Sequence, residues 1–203
     1  MKKIYMILLL TTLFSASLLI VYPTSASSTI ILRVEPQQYI GPVSYVNETF
    51  SVNVTINNVE TTDRLVGVHF RLSYDPTLLE VLDVQEGPFL AQFNQTPTPP
   101  YTFFVSYIEE DGLYGPHILV GEMILPNETG QWPGPFPQGN GTIATITFKA
   151  NYQPVSPEPA ASCNFTFLEV ELLDADGNEI VDYITEDGYY EVSPLHAPTL
   201  TLR

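Results

Sequence analysis

The chain has a single cysteine, Cys163, in 203 residues. No disulfide can form within it, so its stability has to come from packing. Cations are scarce: seven Lys and Arg stand against 23 Asp and Glu, a formal charge of −16. So acidic a chain is repelled at long range by nucleic acid and anionic lipid, and it favours basic partners, cations or neutral ligands. The only histidines are His69, His117 and His196, and there is no Gly-x-Ser-x-Gly, which leaves nucleophilic catalysis poorly supplied. Beyond residue 27 no stretch shows a helical period, and Ala and Lys are sparse beside 18 prolines and 12 tyrosines. That composition argues against a helical fold and for strands and turns.

The one long apolar run opens the chain. Lys2 and Lys3 precede an uncharged stretch over 4–22, Pro23 breaks it, and Thr24-Ser25-Ala26 supplies the small residues a signal peptidase requires. Residues 1–26 read as a signal peptide cleaved after Ala26, which places the mature chain outside the cell. Retained, the same run is near bilayer-spanning length, the only route by which a membrane enters the reading. Cleavage leaves Arg33, Arg64, Arg71, Lys149 and Arg203 as the cations against 23 carboxylates, a formal charge of −18. The remaining chain, about 175 residues, suits one domain with a real core. The domain is placed at 29–193, with 194–203 as a C-terminal tail.

Alternation dominates the mature chain. Over 49–56, Phe50, Val52, Val54 and Ile56 interleave with Thr49, Ser51, Asn53 and Thr55. Over 66–74 the inward set is Val66, Val68, Phe70, Leu72 and Tyr74, with Gly67, His69, Arg71 and Ser73 outward. Over 142–150 the core side is Ala144, Ile146, Phe148 and Ala150, opposite Ile143, Thr145, Thr147 and Lys149. A period of two places successive side chains on opposite faces of a strand. Further strands are expected at 29–34, 78–84, 101–108, 117–125, 163–173, 179–183 and 188–192. Asp75-Pro76, Gly87-Pro88, Asp111-Gly112, Asp176-Gly177 and Asp187-Gly188 mark turns between them. Many short strands at this spacing imply an all-β, two-sheet sandwich. Segments 92–100, 126–141 and 153–162, rich in Pro or Gly, read as loops.

Asn-x-Ser/Thr occurs six times, at Asn47, Asn53, Asn94, Asn127, Asn140 and Asn164. Ten asparagines in a chain about one sixth Ser and Thr would give roughly one or two by chance. The excess points to N-glycosylation of an exported protein. Asn53 and Asn164 are out of phase with their apolar neighbours and so point to solvent, and Asn94, Asn127 and Asn140 fall in the expected loops.

Gly67-Val-His-Phe-Arg-Leu-Ser-Tyr-Asp-Pro-Thr-Leu-Leu-Glu-Val81 resembles the central signature of cohesin domains, in which a strand ends in Tyr-Asp-Pro and runs at once into Leu-Glu-Val. Phe50-Ser-Val-Asn-Val-Thr-Ile-Asn-Asn-Val59 is similar to the preceding cohesin strand, and Gly141-Thr-Ile-Ala-Thr-Ile-Thr-Phe-Lys-Ala150 to a late one. Leu173-Asp-Ala-Asp-Gly-Asn-Glu-Ile180 and Asp187-Gly-Tyr-Tyr-Glu-Val192 resemble the closing hairpin and last strand. The resemblance spans about 29–193. It implies a nine-stranded jelly-roll sandwich related to carbohydrate-binding modules, acting as a non-catalytic binding module. It also implies a protein partner, in the best-known cases a calcium-loaded dockerin, lying on one flat sheet face. Carried over, Gly67, His69 and Arg71 fall on that face, with outward residues of 101–108, 117–125 and 165–171. Gly67 and His69 stand where dockerin-binding members tend to have Asn or Asp.

Other constellations carry less. Cys163, in phase with Phe165 and Phe167, reads as a packing residue. Carboxylate pairs such as Glu109-Glu110 are uninformative in so acidic a chain. Asp174, Asp176 and Asn178 invite calcium, but the glycine falls fourth instead of sixth and no Glu follows at the twelfth place. An Asp-Gly hairpin turn accounts for them better, so no metal or cofactor is expected. Trp132 and Phe136 either stack on sugar rings or cap the core. Three readings follow: a cohesin-like binder of a dockerin-type or other secreted protein, a polysaccharide-binding module, or a structural cell-surface glycoprotein. None is an enzyme.

Overall fold

The computed structural model describes residues 28–41, 46–93, 101–110, 112–132 and 134–195. The signal segment, Asn94 and His196 lie outside them. Among the described residues twelve strands form. They are β1 (Ile30–Glu35), β2 (Gln38–Gly41), β3 (Thr49–Val59), β4 (Leu65–Ser73), β5 (Leu79–Glu86), β6 (Tyr101–Glu109), β7 (His117–Leu125), β8 (Gly139–Ala150), β9 (Ala161–Phe165), β10 (Phe167–Asp174), β11 (Tyr183–Glu186) and β12 (Gly188–Val192). One helical turn, α1 (Pro88–Ala91), follows β5.

The strands make two main sheets and a corner. Sheet I has the order β11-β1-β3-β8-β5, sheet II the order β10-β4-β7-β6, and the corner sheet the order β2-β12-β9. β1 runs into β2, β9 into β10, and β11 into β12, with only one or two residues between the halves. Each of these paths leaves one sheet and joins another, as strands do at the corners of sandwiches. Counted as continuous paths, the body has nine strands. β1 pairs parallel with β11 and β2 parallel with β12, so the first and last paths stay side by side through the corner.

The core lies between sheets I and II. Val52, Val54 and Ile56 from β3 and Ile146 and Phe148 from β8 face Phe70 and Leu72 from β4 and Ile118 and Val120 from β7, all fully buried. Each such side chain contributes about 1.5–3 kcal/mol by leaving water. Under the corner sheet, Phe50 stacks between Tyr39 at 4.2 Å and Tyr190 at 5.3 Å, and Phe148 continues the row to Phe165 at 5.0 Å. The inward sets expected for β3, β4 and β8 are all buried.

Several local features depart from simple alternation. β8 has a bulge opposite Val54 and Thr55, where Ala144 and Thr142 pair and Ile143 is the extra residue. Both Thr55 and Ile143, expected outward, are therefore buried. The expected strand over 163–173 is broken at Thr166, whose amide hydrogen bonds to Ser73 Oγ. The strand expected at 179–183 begins only at Tyr183; Glu179 makes a lone bridge to Leu173 instead. Cys163 is half-buried against the core, and burial pushes its thiol up to about 11. The tail contributes Leu195, which bridges to Val155.

Turn chemistry follows the sequence closely. Asp75 Oδ1 accepts from the Thr77 amide at 2.8 Å and the Thr77 hydroxyl at 2.6 Å, which fixes the Tyr-Asp-Pro corner. Asp174 Oδ1 accepts from the amides of Asp176 and Asn178, both at 2.8 Å. Those amides, led by Asn178, hold the Asp174 carboxyl below its ordinary value. Among the described residues no three His, Cys, Asp or Glu side chains are grouped to hold a metal ion, and no helix is long and apolar enough to cross a membrane.

Candidate partner-binding face

The outward surfaces of the two main sheets differ in chemistry. Sheet I turns out Ser51, Asn53, Thr145, Thr147 and Lys149 from its central strands, and Ser51 and Thr147 share a hydrogen bond across them at 3.0 Å. Sheet II turns out Phe103, Val105 and Tyr107 from β6, Leu119, Gly121 and Met123 from β7, and Gly67, His69 and Arg71 from β4. Phe103 is 56% exposed and Tyr107 61%, large values for aromatics on a sheet face. Apolar surface left open in this way on a rigid sheet is a candidate interaction site.

At one end of this face two glycines open a groove. Gly67 pairs in register with Met123, and His69 with Gly121. A Cβ on Gly121 would lie 3.3 Å from Val105 Cγ1, and one on Gly67 would lie 3.4 Å from both Leu173 and Met123. Side chains there would fill the space between their neighbours. Without them Phe103, Val105, Met123, Leu173 and His69 surround an open groove of about 330 Å³.

The other end is a closed polar network. Arg71 Nε donates to Glu169 Oε2 at 2.6 Å, and an Arg71 guanidinium N–H donates to His117 Nε2 at 2.7 Å. Glu109 Oε2 stands 3.2 Å from His117 Nε2 and 3.7 Å from Arg71. The Tyr114 ring lies 5.0 Å beneath the guanidinium. His117 is fully buried, and its Nδ1 donates to the Gly115 carbonyl at 2.7 Å.

Gly67, His69 and Arg71 thus share one face, but they play different parts. Gly67 is a covered floor, His69 is half-exposed beside the groove, and Arg71 is committed to its neighbours. The exposed contact surface belongs mainly to Phe103 and Tyr107. The family resemblance implies that their strand lies on this face, but the sequence does not say which side of it faces out, because Tyr101, Phe103, Phe104, Val105, Tyr107 and Ile108 are apolar on both.

Trp132 and Phe136 stand elsewhere, beyond the end of β7. Both are half-buried against the core. The Trp132 indole N–H donates to the Ile124 carbonyl at 2.8 Å, and Phe136 lies 5.4 Å under the Arg64 guanidinium, which pairs with Asp176. Trp132 borders a polar cleft of about 410 Å³ with Arg64, Asn127, Gln131 and Asp176. Asn47, Asn140 and Asn164 are exposed and Asn53 and Asn127 half-exposed.

Inside the sandwich, behind the face, β7 carries a carboxylic acid that sequence reasoning passed over. Glu122 is 2% exposed, between Val68 of β4 and Phe104 of β6 in register. Neither of its oxygens has a well-formed hydrogen bond. Burial, reinforced by the neighbouring Glu86 carboxylate and only partly offset by the Ala91 amide, pushes it up to about 8.

Comparison with known proteins places this architecture. The family model described as the cohesin domain matches residues 41–188. A non-cellulosomal cohesin from the hyperthermophilic archaeon Archaeoglobus fulgidus is 19% identical, with 81% of this chain and 91% of that one covered at a TM-score of 0.54. The OlpC cohesin in a type I cohesin–dockerin complex from Clostridium thermocellum is 20% identical, covering 86% and 100% at a TM-score of 0.56. The third ScaC cohesin of Acetivibrio cellulolyticus, in complex with the ScaB dockerin, is 17% identical, covering 82% and 99% at 0.56. No curated protein matches the chain.

Proposed function

The chain belongs to the cohesin family, and from that premise we propose that it is a non-catalytic extracellular module whose sheet II face docks a dockerin-type or other secreted protein. The observation that carries this reading is the open aromatic pair Phe103 and Tyr107 beside a glycine-floored groove. The family premise supplies the kind of partner, since solved relatives are held in complex with dockerins. The binding unit is the domain over 29–193.

The chemistry of the face suits such a partner. Its middle is apolar and desolvates cheaply, while Glu169 and Glu171 on β10 and Glu109 on β6 flank it from opposite edges and favour a partner with basic flanks. Arg71 orients that rim by holding Glu169 and lying beside Glu109, and it does so without offering a free cation. The polysaccharide alternative draws less from the structure, because Trp132 and Phe136 are half-buried and the indole N–H is already bonded.

The test is capture of a panel of purified dockerins by the intact domain, with calcium and with chelator. Calcium-dependent binding of at least one dockerin, lost in Phe103→Ala, is the expected result. Absence of binding across the panel, together with retention on polysaccharide gels that Trp132→Ala removes, would favour the alternative.

A further inference from the structure

The side-chain nitrogens of the asparagines differ: three of the four outside sequons donate a hydrogen bond, and exposed Asn151 does not. Among those outside sequons, Asn57 Nδ2 donates to Thr55 Oγ1 at 3.3 Å, Asn58 Nδ2 to the Thr29 carbonyl at 3.3 Å, and Asn178 Nδ2 to Asp174 Oδ2 at 3.2 Å. None of the five described sequon asparagines donates through Nδ2 to any described residue, though three are anchored through the oxygen. Asn127 Oδ1 accepts from the amides of Thr129 at 3.0 Å and Gln131 at 2.9 Å. Asn140 Oδ1 accepts from the Asn58 amide at 2.8 Å, and Asn53 Oδ1 from the Thr145 hydroxyl at 2.8 Å. For Asn127 and Asn140 the donors are backbone N–H groups, which settles which side-chain atom is oxygen. Holding the oxygen fixes the nitrogen outward. A substituent there meets no hydrogen-bonded neighbour, whereas on Asn57, Asn58 or Asn178 it has to share the nitrogen with an existing hydrogen bond.

The positions are also one-sided. Asn53 sits in the middle of β3 and Asn140 opens β8, both in sheet I, and Asn47 stands in the turn just before β3. Asn164 lies on β9 of the corner sheet, and Asn127 lies past the end of β7. None of the four strands of sheet II contains a sequon.

We propose that Asn47, Asn53, Asn127, Asn140 and Asn164 carry N-linked glycans that coat sheet I and the sandwich ends and leave the outward face of sheet II as a bare window. The donor is a lipid-linked oligosaccharide. The carboxamide nitrogen bonds to the anomeric carbon as the bond from that carbon to the lipid phosphate breaks, and the nitrogen gives up one proton. Threonine stands third in every one of these sequons. The modification stands on the amide geometry alone; the window's use for docking rests on the function proposed above.

Two measurements separate these parts. Glycopeptide mass mapping of the full chain purified from its own source reads the modification directly. Glycan mass on most of the five sites, with one increment lost for each Asn→Gln substitution, is expected; most of the five bare would overturn the proposal whatever the protein binds. The window is read by moving a glycan. Glu169→Asn with Glu171→Thr writes a sequon onto the outward face of sheet II at β10, beside Arg71 and His69 and away from Phe103. Once mass mapping shows that this site is filled, dockerin binding should fall at least tenfold relative to the same variant with its glycans removed enzymatically. Enzymatic removal of the native glycans should leave the parent's binding within about twofold. Unchanged binding by the glycan-bearing variant would show that the window is not the docking surface and would leave the mapped sites standing.

Discussion

Glu122→Gln should convert a pH-sensitive sandwich into an insensitive one. The Glu122 carboxyl lies in the core between Val68 and Phe104, where its charged form is penalised by burial first and by the Glu86 carboxylate second. Its folded value, about 8, lies above its unfolded value of 4.5. A carboxyl shifted in this direction stabilises the fold fully below pH 4.5, and that contribution is lost as the pH rises through 8. Each tenfold change in proton affinity is worth about 1.4 kcal/mol, so the ceiling on the total loss is about 5 kcal/mol, of which about 3 kcal/mol is gone by pH 7. Glutamine keeps the shape and cannot ionise. Urea unfolding of parent and variant at pH 5, 7 and 8.5 reads the effect, and other carboxyls cancel in the difference between the two proteins. The variant should match the parent within about 1 kcal/mol at pH 5 and exceed it by several kcal/mol at pH 8.5. A difference that stays constant from pH 5 to 8.5 would refute the reasoning, because it would mean that Glu122 does not titrate between those limits.

Other perturbations test the frame around the face. Gly87→Ala would press its Cβ against the Thr142 carbonyl of β8 where β5 hands over to α1, and should cost about 1–3 kcal/mol in chemical unfolding. Arg71→Met removes the donor to buried His117 Nε2 and the partner of Glu169, and should cost about 1–3 kcal/mol of stability, read as a lower melting temperature. The acidic rim of Glu109, Glu169 and Glu171 should make dockerin association slow as salt rises from 50 to 500 mM, with little change in dissociation; stopped-flow binding reads both rates.

The parts of the fold legible in the sequence are those where one face is apolar and the other is not. β3, β4 and β8 alternate cleanly, and the buried sets follow from the period of two. The corners were hidden, because a path that leaves one sheet for another keeps its alternation while its neighbours change. Nothing in Gln38-Tyr-Ile-Gly41 marks it as a strand apart from β1, and Thr166 carries no breaker signal between β9 and β10. Thr55 and Ile143 escaped for a related reason: the bulge that turns them inward is a property of the pairing, and neither strand alone encodes it. At the face, Gly67, His69 and Arg71 were placed by pattern and family resemblance together. The resemblance and not the pattern singled out that sheet; the pattern could not show that Arg71 would be held by Glu169 and His117. Phe103 and Tyr107 were invisible as a pair because β6 is apolar on both sides, so only packing decides which residues it buries. Glu122 was passed over as one acid among 23.

The central claim is that partner binding belongs to the outward face of sheet II. Calorimetric titration of a bound dockerin with Phe103→Asp, on sheet II, and Thr147→Asp, on the outward face of sheet I, tests it most directly. A charge at Phe103 should weaken binding at least about a hundredfold, in the range of a central hot-spot residue, while Thr147→Asp leaves both binding and melting temperature near the parent's. Loss of binding in Thr147→Asp with full affinity in Phe103→Asp would contradict the account.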